Sequence, residues 1–180
     1  MRESEIIKRC LQGQTEEFEK IVEKNKGKAM ALALNILGNR EDAEDACQEA
    51  FAKAFLSLKR YDPQRDFKNW LYSILYNSCI DRIRRKRRFF YFLSVRQKDF
   101  CSIHDDEEKG SMLETALLET YLKILKPRER TALVLWATES YTSKEIATVL
   151  DCSASTARVH LYKARKKVKS FIEEKKNDVV

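Results

Sequence analysis

Apolar residues recur along this chain at steps of three and four, so the pattern reads as a succession of amphipathic helices. Ala43, Ala46, Cys47, Ala50, Phe51, Ala54, Phe55 and Leu58 form one face of a helix from about Glu41 to Arg60, and Asn39 with Asp42 three residues later predicts its N-cap. Phe67, Trp70, Leu71, Ile74, Leu75, Cys79 and Ile83 keep the same rhythm in a second helix. Its other face reads Asn77, Asp81, Arg84, Arg85, Arg88, a polar stripe that turns basic toward its end. Farther on, Thr142 and Glu145 make a capping box that starts a helix buried through Ile146, Ala147 and Leu150. Asp151 to Ser153 ("DCS") then form a short turn, and Ala157, Leu161, Ala164, Val168 and Ile172 line a following helix, so the pair predicts a helix-turn-helix.

Composition sharpens this. The 180 residues include only Gly 4 and Pro 2, too few turn formers for many-stranded sheets or glycine-rich phosphate loops, so the expected fold class is all-α. Net charge is +7 and is unevenly spread: residues 1–88 hold 19 Lys and Arg against 14 Asp and Glu, residues 89–111 hold 3 against 5, and residues 112–180 hold 13 against 9. Two basic blocks flanking the unpatterned acidic stretch His104 to Ser111 ("HDDEEKGS") predict two small helical domains, 1–95 and 113–176, joined by a flexible linker over 96–112. Five scattered cysteines without a CxxC pair fit a reduced, cytoplasmic chain, and the lone C-x-x-H of Cys101 and His104 lacks the second ligand pair of a zinc site. Neither a signal-peptide core nor an apolar run of ~18–20 residues is present, so no direct membrane insertion is expected.

Three surfaces suggest chemistry. Glu41, Asp42, Glu44, Asp45, Gln48 and Glu49 form an acidic ridge; part of it suits a helix N-terminus, but five acids in nine positions exceed capping needs and leave a partner-binding ridge open. The stretch Asp81 to Phe92 ("DRIRRKRRFFYF") places six cations in its first eight residues, more than a helix C-terminus requires. Its apolar face is committed to a core containing Trp70, so nucleic-acid phosphate fits better than a membrane surface. The aromatics Phe89 to Phe92 read first as an apolar cap docking the following segment, with base stacking as the alternative. On the last helix Ser155, Arg158, Val159, Tyr162, Lys163 and Lys166 mix phosphate binders with groups that touch base edges, as a major-groove recognition helix requires; a plain helical hairpin is the bland alternative. His104 and His160 have no evident nucleophile or carboxylate partner, so neither enzymatic activity nor a cofactor is expected.

Both blocks together resemble the group IV, or extracytoplasmic-function, sigma factors of bacterial RNA polymerase. Asn39 to Phe55 ("NREDAEDACQEAFAKAF") is similar to the region-two helix with its D-x-x-Q-E-x-F core, and Phe67 to Arg88 to the W-L-x-x-I-x-x-N-x-x-x-D-x-x-R-R that follows. Leu125 to Val168 resembles region four, and the likeness spans about three quarters of the chain in order. The resemblance implies that Asp42, Asp45, Gln48 and Glu49 grip the clamp coiled coil of the polymerase's largest subunit, and that region four also meets the flap of the second largest. It implies that Asn77, the turn before its helix and Lys53 handle melted bases of the minus-ten element while Arg84, Arg85 and Arg88 follow the backbone. Ser155, Thr156, Arg158, Val159, Tyr162, Lys163 and Lys166 would read the minus-thirty-five duplex; the linker would thread toward the RNA exit path, and an anti-sigma factor is an implied partner. The chain departs from the family pattern at Lys126-Pro127, at Glu139-Ser140 in place of a usual Gly, and at His160. The competing readings are a free-standing dimeric helix-turn-helix regulator, which needs a sensor or dimer interface in residues 1–110, and a helical scaffold, which leaves the two basic blocks without purpose.

Overall fold

The computed structural model describes residues 3–96 and 124–177. The expected linker, with Cys101 and His104, lies outside the described residues. Seven α-helices make up the described chain: α1 (Glu3–Leu11), α2 (Phe18–Leu37), α3 (Arg40–Leu56), α4 (Phe67–Arg96), α5 (Pro127–Glu139), α6 (Ser143–Leu150) and α7 (Ala154–Asn177), with 3-10 turns at Thr15–Glu17 and Leu58–Arg60 and no strand among the described residues. None of the helices is long and apolar enough to cross a membrane.

Local chemistry sets the boundaries. α2 ends where Gly38 takes the left-handed conformation (φ 71°), and its N–H reaches the Leu34 carbonyl at 2.7 Å. The next residue caps α3: Asn39 Oδ1 accepts the Asp42 N–H at 2.9 Å, as the spacing predicts. α3 stops at Leu56, shorter than the predicted run to Arg60, because the Ser57 hydroxyl bonds back to the Lys53 carbonyl at 2.6 Å and a 3-10 turn follows. Thr142 and Glu145 form the predicted capping box of α6, the Thr142 N–H donating to Glu145 Oε2 at 2.7 Å. In the tight turn Asp151 is left-handed (φ 48°) and Ser153 Oγ accepts the Thr156 N–H at 3.1 Å to start α7.

Two apolar clusters hold the helices. One joins α1, the start of α2, the end of α3 and the start of α4 through Ile6, Ile7, Phe18, Ile21, Ala54, Leu58, Phe67 and Leu71. The other is larger and continuous from Ala33 and Ile36 of α2, through Ala46 and Ala50 of α3 and Leu75 and Cys79 of α4, to Leu135, Ile146, Leu150, Ala157 and Ala164. Small residues at 43, 46, 50 and 54 let α3 lie close to its neighbours, as their spacing predicts. Phe55 departs from that stripe: it is 36% exposed and packs edge-on against Phe18 at 5.2 Å. Burial pushes the Cys47 thiol up to about 11 and the Cys79 thiol up to about 12, so both sulfurs act as apolar filling at neutral pH.

The sequence leaves open whether the two blocks pack on each other; in the structure they do. Tyr72 and Tyr76 of α4, off the predicted core stripe, are buried, and Tyr72 stacks on Tyr141 with ring centroids 6.2 Å apart. Beside them the Glu139 carboxylate, 12% exposed, receives Lys68, Lys28 at 3.3 Å and the Tyr72 hydroxyl at 3.5 Å. Burial alone would raise its pKa, but the hydrogen bonds and charges of Lys68 and Lys28 outweigh it and hold the carboxyl below its ordinary value. The Arg130 guanidinium of α5 donates to the Ile36 carbonyl at 3.0 Å, satisfying an orphan acceptor at the end of α2.

Ser140, just after Glu139, holds φ 55° to let the Tyr141 N–H reach the Leu135 carbonyl at 3.2 Å. A left-handed conformation costs a residue with a Cβ about 1–2 kcal/mol, part of which glycine returns as unfolded-chain entropy. Ser140→Gly is therefore expected to stabilise the chain by about 0.5–1 kcal/mol, read as a higher urea midpoint at unchanged slope; a lower midpoint would contradict this account of the turn.

Candidate nucleic-acid and partner surfaces

The acidic ridge of α3 and the basic run of α4 face each other. Arg82 reaches Asp42 at 3.3 Å and Asp45 at 3.0 Å, Lys86 also meets Asp42, and Arg85 lies 3.6 Å from Glu49. Glu49 is further held by Lys53 at 2.6 Å, and that hydrogen bond first, with the nearby cations, keeps its carboxyl below the ordinary range. Glu44 pairs with Arg40 at 2.8 Å. Part of the acid that looks excessive for helix capping therefore neutralises α4. Asp42 is 13% exposed and turned inward, whereas Asp45 and Gln48 stand at the surface and Glu49 is half-buried at its edge.

Arg82 and Lys86 are thereby spent on the ridge, and the outward cations of α4 are Arg84, Arg87 and Arg88, with Arg85 partly engaged. Arg84 makes only a loose 3.6 Å pair with Asp81. Lys53 reaches Ser78 Oγ at 3.3 Å, and the neighbour of Ser78 along the helix, Asn77, is exposed. In front of α4, Tyr61, Phe67 and Trp70 form an aromatic cluster with centroids 5.2 to 5.5 Å apart, and Tyr61 and Trp70 are only partly buried. Phe89 is 61% exposed and falls on the polar side of the helix, and the segment that the expected apolar cap would dock lies outside the described residues. The side chains of Phe90 to Phe92 lie outside the described residues.

On α7 the predicted face is outward: Ser155, Arg158, Val159, Tyr162, Lys163 and Lys166 are all exposed, Tyr162 at 66%. Thr156 is half-buried and tied to Ser153 at 2.8 Å. Arg165 is turned back over Trp136 at 5.0 Å, Lys167 pairs with buried Glu129 at 2.6 Å and Lys169 lies 3.7 Å from Glu173, whereas Arg158, Lys163 and Lys166 are exposed and make no ion pair with the described residues. Asn77, Arg84 and Lys163 line one cleft between α4 and the helix-turn-helix, together with Lys126, Arg128 and His160. The sequence marks Lys126 only as a departure from the family pattern and gives neither it nor Arg128 a role; the available signal was their place around Pro127, at the start of α5.

These features can be tested against one another. A double-mutant cycle on Asp42→Ala and Arg82→Ala is expected to show coupling of about 1 kcal/mol or more, because both groups are largely screened from water. The exposed Asp81–Arg84 pair should show about 0–0.5 kcal/mol. Equal couplings would mean the α3–α4 ion pairs are ordinary surface contacts.

Known proteins place the same features in one frame. Residues 21–89 match the model of Sigma-70 region 2, and residues 115–168 match that of Sigma-70, region 4. The chain is 30% identical over 178 residues to the ECF RNA polymerase sigma factor SigW of Bacillus subtilis (strain 168), covering 93% of this chain and 95% of that protein. Among solved structures it resembles CnrH in complex with the cytosolic domain of CnrY (26% identity, TM-score 0.68, 94% of this chain and 96% of that one). It shares its fold with the sigma factor RpoE in complex with the anti-sigma factor NepR from Bartonella quintana (20% identity, TM-score 0.71, 87% and 97% covered). With region 2 and region 4 in family order on the two basic blocks, the chain belongs to the sigma-70 family of RNA polymerase sigma factors, in its extracytoplasmic-function branch.

Proposed function

We propose that this sigma factor binds core RNA polymerase through the outer edge of α3 and directs it to promoters through two separate DNA-reading faces. The observation that supports this best is the exposure of two cationic faces in family order, around Asn77, Arg84 and Arg88 on α4 and around Arg158, Tyr162 and Lys166 on α7. A domain spanning residues 1–95 would take the melted minus-ten element, with Asn77 and Lys53 at unpaired bases and Arg84, Arg85 and Arg88 on phosphates. A domain spanning 113–176 would place α7 in the major groove of the minus-thirty-five element, with Ser155, Arg158, Val159 and Lys163 near base edges and Thr156 positioning the helix start. Asp45, Gln48 and Glu49 would meet the clamp coiled coil of the polymerase, and Asp42 would act from behind by fixing Arg82 and Lys86. Region four would meet the flap, and residues 96–112 would run toward the RNA exit path. An anti-sigma factor is the expected antagonist, one being bound to RpoE in its solved structure.

This reading has a geometric consequence. Elements centred near minus ten and minus thirty-five are about 25 base pairs apart, or roughly 85 Å at about 3.4 Å per pair. Asn77 and Lys163, assigned to opposite elements, line a single cleft in the packed chain. Promoter engagement therefore requires α4 to release the helix-turn-helix.

Reconstituted transcription tests the assignment. The purified chain should restore run-off transcription from a cognate promoter that core polymerase alone does not use. Asp45→Lys combined with Gln48→Arg should weaken association with core at least tenfold while circular dichroism stays helical. Arg82→Ala, which removes the same internal ion pair, should retain core binding. Loss of binding in Arg82→Ala alone, or normal binding by the charge-reversed chain, would sink the clamp assignment.

A further inference from the structure

The α4 surface and the helix-turn-helix do not close completely on each other. Between them lies a cleft of about 510 Å3, lined from α4 by Tyr76 and Arg84 and from the opposite side by Lys126, Arg128, His160 and Lys163. Its volume falls in the range of about 300–1,000 Å3 typical of small-ligand sites and is far too small for a duplex.

Charge in the cleft is unbalanced. Four cations share it with the carboxylates of Glu129 and Asp151. Glu129 is already taken by Lys167 at 2.6 Å and by the Lys126 N–H at 3.1 Å. Most other cations between helices have a partner: Lys68, Lys28, Arg82, Lys86 and Lys167 meet a carboxylate, Arg130 a carbonyl and Arg165 an indole ring. Among the described residues Lys126, Arg128 and Lys163 make no such ion pair. His160 adds an independent sign, for its Nε2 is buried and has no hydrogen-bond partner among the described residues. Burial first, then the positive charges of Arg128 and Lys163, hold the imidazole below its ordinary pKa. Lys126 and Lys163 without an ion pair, Arg128 held only by the neutral Tyr76 hydroxyl and Arg84 only loosely by Asp81, set around an unpartnered buried nitrogen in a concave site, are complementary to a compact polyanion.

We propose that this cleft binds a small polyphosphate anion of the nucleoside di- or triphosphate class, clamped between Arg84 of α4 and Lys126, Arg128 and Lys163 of the C-terminal block, with His160 as a further donor. Because its walls come from both blocks, the anion bridges them and stabilises the packed chain against separation. The site depends on the packing of α4 against the helix-turn-helix and not on the assignment of the chain to promoter recognition.

The chain has two histidines, His104 and His160, which makes imidazole resonances a direct probe. The full-length protein is titrated with inorganic pyrophosphate and with ATP at constant ionic strength, and histidine shifts are followed by NMR beside the melting curve. Saturable shifts confined to His160, a rise in its pKa, and a melting midpoint raised by about 5–10 °C at hundredfold excess over Kd are expected. Arg128→Ala and Lys126→Ala, each checked by circular dichroism, should weaken binding about tenfold. Equal shifts at both histidines, reproduction of the effect by chloride, or undiminished binding to both variants overturns the proposal. So does saturation by a short single-stranded oligonucleotide where pyrophosphate fails, which would make the cleft a DNA groove. Co-elution of Arg128→Ala with core polymerase, measured without any nucleotide or pyrophosphate, reports on the sigma-factor reading separately.

Discussion

The structure depends on α4 being buried from two sides. Its stripe of Phe67, Leu71, Leu75 and Cys79 is the core of the N-terminal block, as in any helix packed on a bundle. Tyr72 and Tyr76, which a one-sided helix would show to solvent, are instead covered by the C-terminal block, with Tyr141 stacked against Tyr72. The aromatic contact supplies apolar area, and Glu139 supplies direction by gathering Lys68, Lys28 and the Tyr72 hydroxyl on one carboxylate. This arrangement is suited to release. A latch of polar groups around two tyrosines exposes hydroxyls and charges when opened, a smaller penalty than opening an all-aliphatic seam.

Electrostatics divide the basic run by the direction in which each side chain leaves the helix. Arg82 and Lys86 turn toward α3 and meet Asp42 and Asp45, while Arg84 and Arg88 leave from the solvent side. One segment thus serves folding and, in the proposed reading, DNA binding. The pairing also orders the acidic ridge, since Asp42 is fixed inward while Glu41, Glu44, Asp45, Gln48 and the edge of Glu49 stay toward solvent. On α7 the same division holds, with Lys167 and Arg165 engaged by Glu129 and Trp136 while Arg158, Lys163 and Lys166 stay exposed and make no ion pair with the described residues.

Much of this was legible from local pattern. The apolar period located α3, α4, α6 and α7, and Asn39 and Thr142 marked the helix starts where the structure places them, because capping is decided within three residues. The outward face of α7 was legible for the same reason: once Ala157 and Ala164 are inside, Arg158, Tyr162 and Lys166 must be outside. What escaped was decided across long separations. Nothing near Asp42 announces Arg82 and Lys86, about forty residues on, and nothing in α4 alone distinguishes buried Tyr72 and Tyr76 from surface tyrosines. Phe55 reads as core by its spacing yet is partly exposed, because the rotation of α3 and not hydrophobicity decides its side. The cleft joining Arg84 to Lys126, Arg128 and Lys163 exists only through the packing of the two blocks, so no local motif could reveal it.

The central claim is that α4 holds the helix-turn-helix in the free chain and must let it go on a promoter. The most direct measurement is energy transfer between a donor at Leu56, fully on the surface of α3, and an acceptor at Lys169 on the outer side of α7, in the free chain and in its complex with core polymerase and promoter DNA. A short distance in the free chain that lengthens by tens of ångströms in the complex is the predicted result, given the roughly 85 Å between promoter elements at about 3.4 Å per base pair. An unchanged distance in an actively initiating complex would contradict the account.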